Sequence, residues 1–307
     1  MILNLLKSIL GLRKPIDVSS YQRDDWRRAI RRFRNNSLSK IGLGITIIFI
    51  AIALGADVIS PYPDDAKGAL DFTIRFQPPS AAHPFGTDEA GRDVFSRVIF
   101  GTRIDLSVAI MTQLIITGIA IFLGLIAAFS GFKIESVILR SADIFMSMPP
   151  LILALAATTA FEKNLTTAML AVIIAFWPWQ TRLIHSAAIS VKQELFIEAA
   201  VTIGKGRIRT VFEDILPHIL SVVTVKATLD LGRVIIFVAA LNFLGLGAQS
   251  PTPSWGTMIS DGRNYLPEFW WLSTFPGIFI FFAVLGFALL GDGLRDVFDV
   301  QLEESKF

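Results

Sequence analysis

The sequence contains no cysteine. Disulfides, thiolate catalysis and cysteine-ligated metal are therefore excluded. Histidine is scarce too. His83, His185 and His218 are the whole complement, and none stands at metal-ligand spacing from another histidine or a suitable acid. Each reads as a polar interfacial residue rather than a catalyst, and spacing supports no Ser-His-Asp arrangement. There is no Gly-x4-Gly-Lys-Ser/Thr phosphate loop: Lys205 follows Gly204, but Gly206 comes next and no strand precedes. ATP binding by this chain is not expected, nor is any other cofactor or metal. Charge is thin as well. Only 18% of the 307 residues are charged, where a soluble chain carries about a quarter.

Long apolar runs take the place of that charge. Hydrophobic residues make up 53% of the chain, and the mean hydropathy is +0.59. Several runs reach the ~20 mostly apolar residues that cross a bilayer. The expected fold class is an all-α polytopic membrane protein. Met1 to Leu12 is apolar but short, with Lys7 in its middle and no small-residue cleavage site after it. It fits an interfacial or core-packing segment better than a signal peptide.

Residues 1–40 form a basic amphipathic segment. Arg23, Arg27, Arg28, Arg31, Arg32, Arg34 and Lys40 supply the charge, and Trp26, Ile30 and Phe33 recur at i, i+4, i+7. A helix lying on the membrane fits this pattern, its arginines near anionic head groups. Nucleic-acid binding is not expected, because residues 41–60 form the first transmembrane candidate at once. The basic flank puts the N-terminus in the cytoplasm.

Residues 61–103 carry mixed charge and suit an external segment. Pro78, Pro79 and Pro84 oppose long helices early in it. Asp88, Glu89 and Asp93 do not match a calcium loop, and a salt-bridged cap is preferred. The second span is placed at 104–130, with Gly118 and Gly124 as close-packing points. The third, 137–160, contains Asp143 and Met148-Pro149-Pro150. Paired prolines should break it, which lipid tolerates only beside a neighbour or cavity. The fourth, 166–188, contains Trp177-Pro178-Trp179. The tryptophans form an interfacial belt or line a pathway, with Pro178 expected to break the helix.

The fifth span, 218–243, holds Lys226, Asp230 and Arg233 at i, i+4, i+7. Charges at membrane depth face a cavity or one another. They line a watery passage or form an ion-pair ladder. The passage is mildly favoured, since one carboxylate cannot fully pair two cations. Residues 244–271 form a second external segment rich in Pro and Gly. The last span is 272–290, and 296–307 is a cytoplasmic tail.

Between the fourth and fifth spans, residues 190–217 are too charged for lipid but are not slack. Ile208, Val211, Phe212, Ile215 and Leu216 follow helical spacing after Gly204. Phe196, Ile197, Ala200 and Val201 give a shorter apolar face before it. Two short helices bent at a glycine are expected, forming a docking site for a soluble partner.

Glu198-Ala199-Ala200, three residues, Gly204, nine residues, then Asp214-Ile215-Leu216-Pro217 resembles the coupling loop of ABC importer permeases. His83-Pro84-Phe85-Gly86-Thr87-Asp88 through Gly101-Thr102-Arg103, and Leu241 through Asp261-Gly262-Arg263, resemble the C-type permeases of the dipeptide, oligopeptide and nickel importers. Asp143 with Pro149 is similar to that family's third helix. The likeness extends over most of the chain from about Ala82; earlier residues match in layout. It implies a type I importer (MetI-like) fold of six transmembrane helices, with core 104–295 and both ends cytoplasmic in the cell membrane. It implies a heterodimer with a second permease subunit, two ATPases carrying ATP and magnesium, and an external substrate-binding protein. On this resemblance Glu198, Ala199, Ala200, Gly204, Ile208, Phe212, Leu216 and Pro217 couple to the ATPase. Asp143, Met148, Pro149, Trp177, Lys226, Asp230 and Arg233 are the pathway candidates. Peptides are the implied substrate, with oligosaccharides and nickel chelates as alternatives. The charges of the fifth span depart from the family. A membrane enzyme is the reading from another class, and the Lys226, Asp230 and Arg233 face lacks a nucleophile–base pair for it. A secondary transporter working alone would be favoured by internal repeats, and none is visible.

Overall fold

The computed structural model describes Phe33 and residues 36–304, with side chains described through 298. The basic segment of residues 1–40 therefore lies almost wholly outside the described residues. All regular elements among the described residues are helical, apart from a lone bridge between Thr87 and Asp93.

Helix α1, Ser37–Leu54, starts where Asn36 accepts from the amides of Leu38 and Ser39. It is apolar all round and mostly uncovered, as a lipid-facing span should be. It ends at Gly55, and one turn, α2 (Ala56–Ile59), follows. The first span is thus shorter and earlier than 41–60.

Helix α3, Val94–Phe129, has 36 residues. It begins ten residues before the expected second span, because Asp93 caps it by accepting from the Ser96 amide at 2.7 Å. The external segment accordingly ends at 93 rather than 103. Gly124 packs closely as expected: a Cβ there would lie 2.8 Å from Ile184. Gly118 does not, and open space surrounds its Cβ position.

Helices α4 (Phe132–Met146) and α5 (Pro150–Thr159) are bent by 92°. The break falls at the proline pair, as expected, with Pro150 in the first turn of α5 where its missing N–H costs nothing. Lys133, Glu135 and Arg140 all lie on α4. Helix α6, Leu165–Lys192, runs on through Pro178. The expected break there does not occur. Pro178 is buried, and packing on both sides outweighs the loss of one backbone bond.

Helix α7 (Leu195–Thr202) and the single turn α8 (Arg207–Thr210) lie outside the long helices. A π turn, Val211–Ile215, leads into α9, Leu216–Phe243. A short helix, α10 (Trp255–Gly262), precedes α11, Trp271–Glu304. The tail from 296 is therefore helical through 304.

Among the described residues four helices are long and apolar enough to span a membrane, and the bent pair makes up to five. The expected fifth span, α9, is not among them, although it is long enough at 28 residues. Every 18-residue stretch of it contains Lys226, Asp230 and Arg233 together, so its apolar signal is interrupted.

Among the described residues the two largest of three buried clusters hold the helices together. One centres on Trp255, fully buried, whose ring meets Phe49 edge-on at 6.1 Å. The other joins Ala120 and Leu125 of α3, Ile184 and Ala188 of α6, Ile219 of α9, and Ile197, Val211 and Ile215 of the docking stretch. The start of α1 meets α11 as well, with the Asn36 amide donating to Asp296 at 2.8 Å.

Candidate functional site: a docking element and the charged faces behind it

The docking stretch is built by a helix stop. Gly204 takes φ +86°, a left-handed value that favours glycine. Its amide donates to Val201 O at 2.9 Å, and the Lys205 amide donates to Ala200 O at 3.1 Å. These two bonds close α7 as a Schellman motif. The chain then reverses, and Lys205 ties the turn to the π segment. Its ammonium reaches Asp214 at 2.6 Å and Glu213 at 3.1 Å, while Arg209 reaches Glu213 at 2.8 Å. Hydrogen bonding from Arg209 and Lys205 holds the Glu213 carboxyl below its usual range. Bonding to Asp214 raises Lys205 in turn. Two short helices bent at a glycine are therefore present.

The expected coupling residues do not share one surface. Glu198 and Ala199 are exposed on α7 beside a cavity of about 630 Å³, and Ala200 is half-buried. The Glu198 carboxylate makes no ion pair among the described residues. Leu195 is 80% exposed and Ile203 84% exposed, flanking this acid with apolar surface. Ile208 and Phe212 are also exposed, but they line a different groove, against α3. Leu216 and Pro217 open α9. The apolar face expected at helical spacing is split: Val211 and Ile215 are buried inward. The π turn rotates the register between them.

The pathway candidates form two groups. Asp143 of α4 pairs with Arg182 of α6, and Glu135 lies 3.1 Å from His185 Nε2. Phe145 meets Trp177 edge-on at 5.6 Å. These contacts clip α4 to α6, leaving Met148 and Pro149 exposed at the bend. The second group is the charged face of α9. Asp230 Oδ1 accepts from Lys226 Nζ at 2.6 Å and from Arg233 Nη1 at 3.4 Å. One carboxylate does serve both cations, as a ladder. Asp230 is buried, whereas the Arg233 side chain is 66% exposed. No hydrogen bond joins the two groups among the described residues.

At the opposite end, charged residues form a sealed cap. Asp88 accepts from Arg92 Nε at 2.8 Å and pairs with Arg97, and Glu89 lies 3.1 Å from Arg92. Asp93 lies 2.9 Å from His83 Nδ1. Gly91 must be glycine here: φ is +77°, and a Cβ would lie 1.7 Å from Asp71 O. Asp261 of α10 borders the same cluster. Asp261 is exposed as a residue, yet the protein packed around its carboxyl desolvates it and pushes it up, against the pull of Arg97 and Arg92 and with help from Asp88. A carboxyl raised on folding binds more protons folded than unfolded. Stability then falls as pH rises above its ordinary value of 3.8 toward the raised one. Asp261→Asn is expected to raise the melting temperature at pH 8 relative to the native chain, and that gain should shrink as the pH is lowered to 3.8. Thermal melts at both values check this.

Residues 120–303 match the family described as binding-protein-dependent transport system inner membrane component. The chain belongs to that family. Residues 25–79 of this permease also match the N-terminal transmembrane domain of oligopeptide transport permease C. That likeness reaches well before Ala82. Motif reading missed it because the early residues carry layout and few distinctive positions. The permease is 40% identical to the dipeptide transport system permease protein DppC of Alkalihalophilus pseudofirmus over 281 residues, 91% of this chain and 90% of that one. It is 39% identical to the probable D,D-dipeptide transport system permease protein DdpC of Escherichia coli, covering 82% and 85%. It is 33% identical to the oligopeptide transport system permease protein OppC of Bacillus subtilis, covering 91% and 90%.

Two features of this permease were not foreseen. Arg182 and His185 pair with acids on α4, which one sequence cannot show. Asp105 is buried and accepts from the Trp255 amide and the Ser254 hydroxyl, both at 2.7 Å. A lone acid in an apolar run was the available signal.

Proposed function

We propose that this chain is one permease subunit of an ATP-driven importer, forming half of a pathway for peptides. An external binding protein delivers the peptide, a second permease completes the pathway, and two ATPases bind the docking stretch. ATP and magnesium belong to those ATPases. The observation carrying the proposal is the docking element itself: a Glu198 with no ion pair among the described residues and exposed Leu195 and Ile203, on a turn fixed by Gly204 and Lys205. Exposed apolar surface on a rigid polar element is the mark of an interface. The relatives named for dipeptides and oligopeptides support the substrate class.

The mechanism is alternating access. ATP-driven approach of the two ATPases would move α7 and the π turn. Ile197, Val211 and Ile215 are buried against α3, α6 and α9, so a rigid cluster carries that displacement into the long helices. The docking end is taken as cytoplasmic, and the meeting of Asn36 with Asp296 supports placing both chain ends on one side. Of the pathway candidates, the Asp143–Arg182 clip and the exposed Met148 and Pro149 sit at a bend able to shift, and the α9 ladder offers one exposed cation to solute.

The test is purification of the tagged chain in mild detergent, with mass spectrometry of what accompanies it. Two ATPases and a second permease are expected with the native chain. Glu198→Arg is expected to lose the ATPases and keep the second permease. A lone, monodisperse native chain would sink the importer assignment. Uptake of a labelled dipeptide, by cells with and without the chain, decides the substrate class.

A further inference from the structure

We propose that the groove between α3 and the turn after Gly206 holds one acyl chain of an anionic phospholipid, with its phosphate against Arg207 and Lys192. The groove has a volume of about 530 Å³. One wall is a single stripe of α3: Gly118, Ile121, Phe122, Leu125, Ile126 and Phe129, at helical spacing. At 1.5 Å per residue the stripe is about 17 Å long. One leaflet of a hydrocarbon core about 30 Å thick is about 15 Å deep. The groove thus has the length of one leaflet and ends where α3 ends. Space lies open at Gly118, and Phe122 is exposed beside it.

Charge gathers at the mouth. Arg207 borders both this groove and the adjoining cavity, which Lys192 also lines. Lys192 donates to Ala128 O at 3.2 Å and lies 5.1 Å from the centre of the Phe129 ring, over the groove's end. Neither cation has an ion pair among the described residues, whereas neighbouring Lys205 and Arg209 are neutralised by Asp214 and Glu213. The Glu198 carboxylate also lines the adjoining cavity, so Lys192 and Arg207 leave a net positive mouth above an apolar slot one leaflet deep, which matches an anionic phospholipid. A partner's helix fits less well. A helix of that length and about 10 Å across fills roughly 1,300 Å³, more than twice the groove.

The inference rests on the reading that places this end at the cytoplasmic surface. The lipid would join α8 to α3 directly beside the docking element. The test is native mass spectrometry of the whole complex, incubated with phosphatidylglycerol or phosphatidylcholine. Retained phosphatidylglycerol is expected, falling about thirtyfold in the Arg207→Gln, Lys192→Gln double variant, with phosphatidylcholine weak in both. Gly118→Leu, which builds into open space and keeps both charges, is expected to displace the lipid as well. Equal retention of the two lipids by native and variant complexes would overturn the site. So would efficient cross-linking of Phe122→Cys, in this cysteine-free chain, to the second permease, because a protein would then fill the groove. The same spectra read the ATPases separately. Their absence from the native complex sinks the importer assignment alone, while lipid retention still decides the groove.

Discussion

Leu195→Asp combined with Ile203→Asp is expected to strip the ATPases from the complex while the chain still reaches the membrane and keeps its second permease. Both side chains are four-fifths or more exposed, so the fold loses little when they change. A partner surface loses much. Apolar anchors at an interface are worth about 2 kcal/mol each when removed, and a buried unpaired carboxylate adds to the cost. Two such changes weaken association at least a hundredfold, to order of magnitude. ATP hydrolysis in reconstituted vesicles should then no longer respond to binding protein and peptide. Leu70→Asp, at an exposed apolar residue in the segment before α3, serves as the control and should leave association unchanged. Full ATPase retention by the double variant would move the docking surface elsewhere, toward Ile208 and Phe212.

That alternative shows what periodicity did and did not reveal. The spacing from Ile208 to Leu216 predicts one apolar face, and the Glu198 to Pro217 pattern predicts a bent docking element. The element is there. The single face is not, because the π turn shifts the register and sends Val211 and Ile215 inward while Ile208 and Phe212 stay out. Hydropathy placed the start of α3 at Ile104, where the apolar run begins. The helix in fact starts at Val94, capped by Asp93, a local signal unrelated to lipid. Proline behaved in two ways. Pro149-Pro150 breaks its span and Pro178 does not, and only the packing around each distinguishes them. The charges on α9 lay in the sequence as three spaced residues, and the structure joins all three at one carboxylate oxygen while leaving Arg233 exposed. Contacts across long separations, such as Arg182 with Asp143, carry no mark in a single sequence.

Another of those contacts supports the second large expectation. Asp105→Ala should lower the melting temperature of the purified complex more than any other single change on α3. Asp105 is buried and binds two donors from residues 149 and 150 positions away. Ser254 passes the network on, accepting from Asn242 Nδ2 at 2.7 Å, and Asn242 Oδ1 accepts from the Ala248 amide at 2.9 Å. One carboxylate thus fixes α10 against α3 and, through Ser254, against α9. Glycine makes the approach possible: a Cβ on Gly256 would lie 2.2 Å from Ala239 O. Alanine at 105 leaves a buried amide and a buried hydroxyl without their acceptor. Each costs about 1–3 kcal/mol, so the loss is about 2–6 kcal/mol. Asparagine restores one acceptor but turns an NH2 toward the other donor, and should cost about half as much. Ser254→Ala breaks the same chain at its middle. Combined with Asp105→Ala, it should cost clearly less than the two losses added, because both act on one network. Full additivity would mean that the two contacts are independent and that α10 is held by Trp255 packing alone. Peptide transport measured on the Asp105→Asn complex would then separate a fold that merely melts sooner from an outer segment that no longer holds its place.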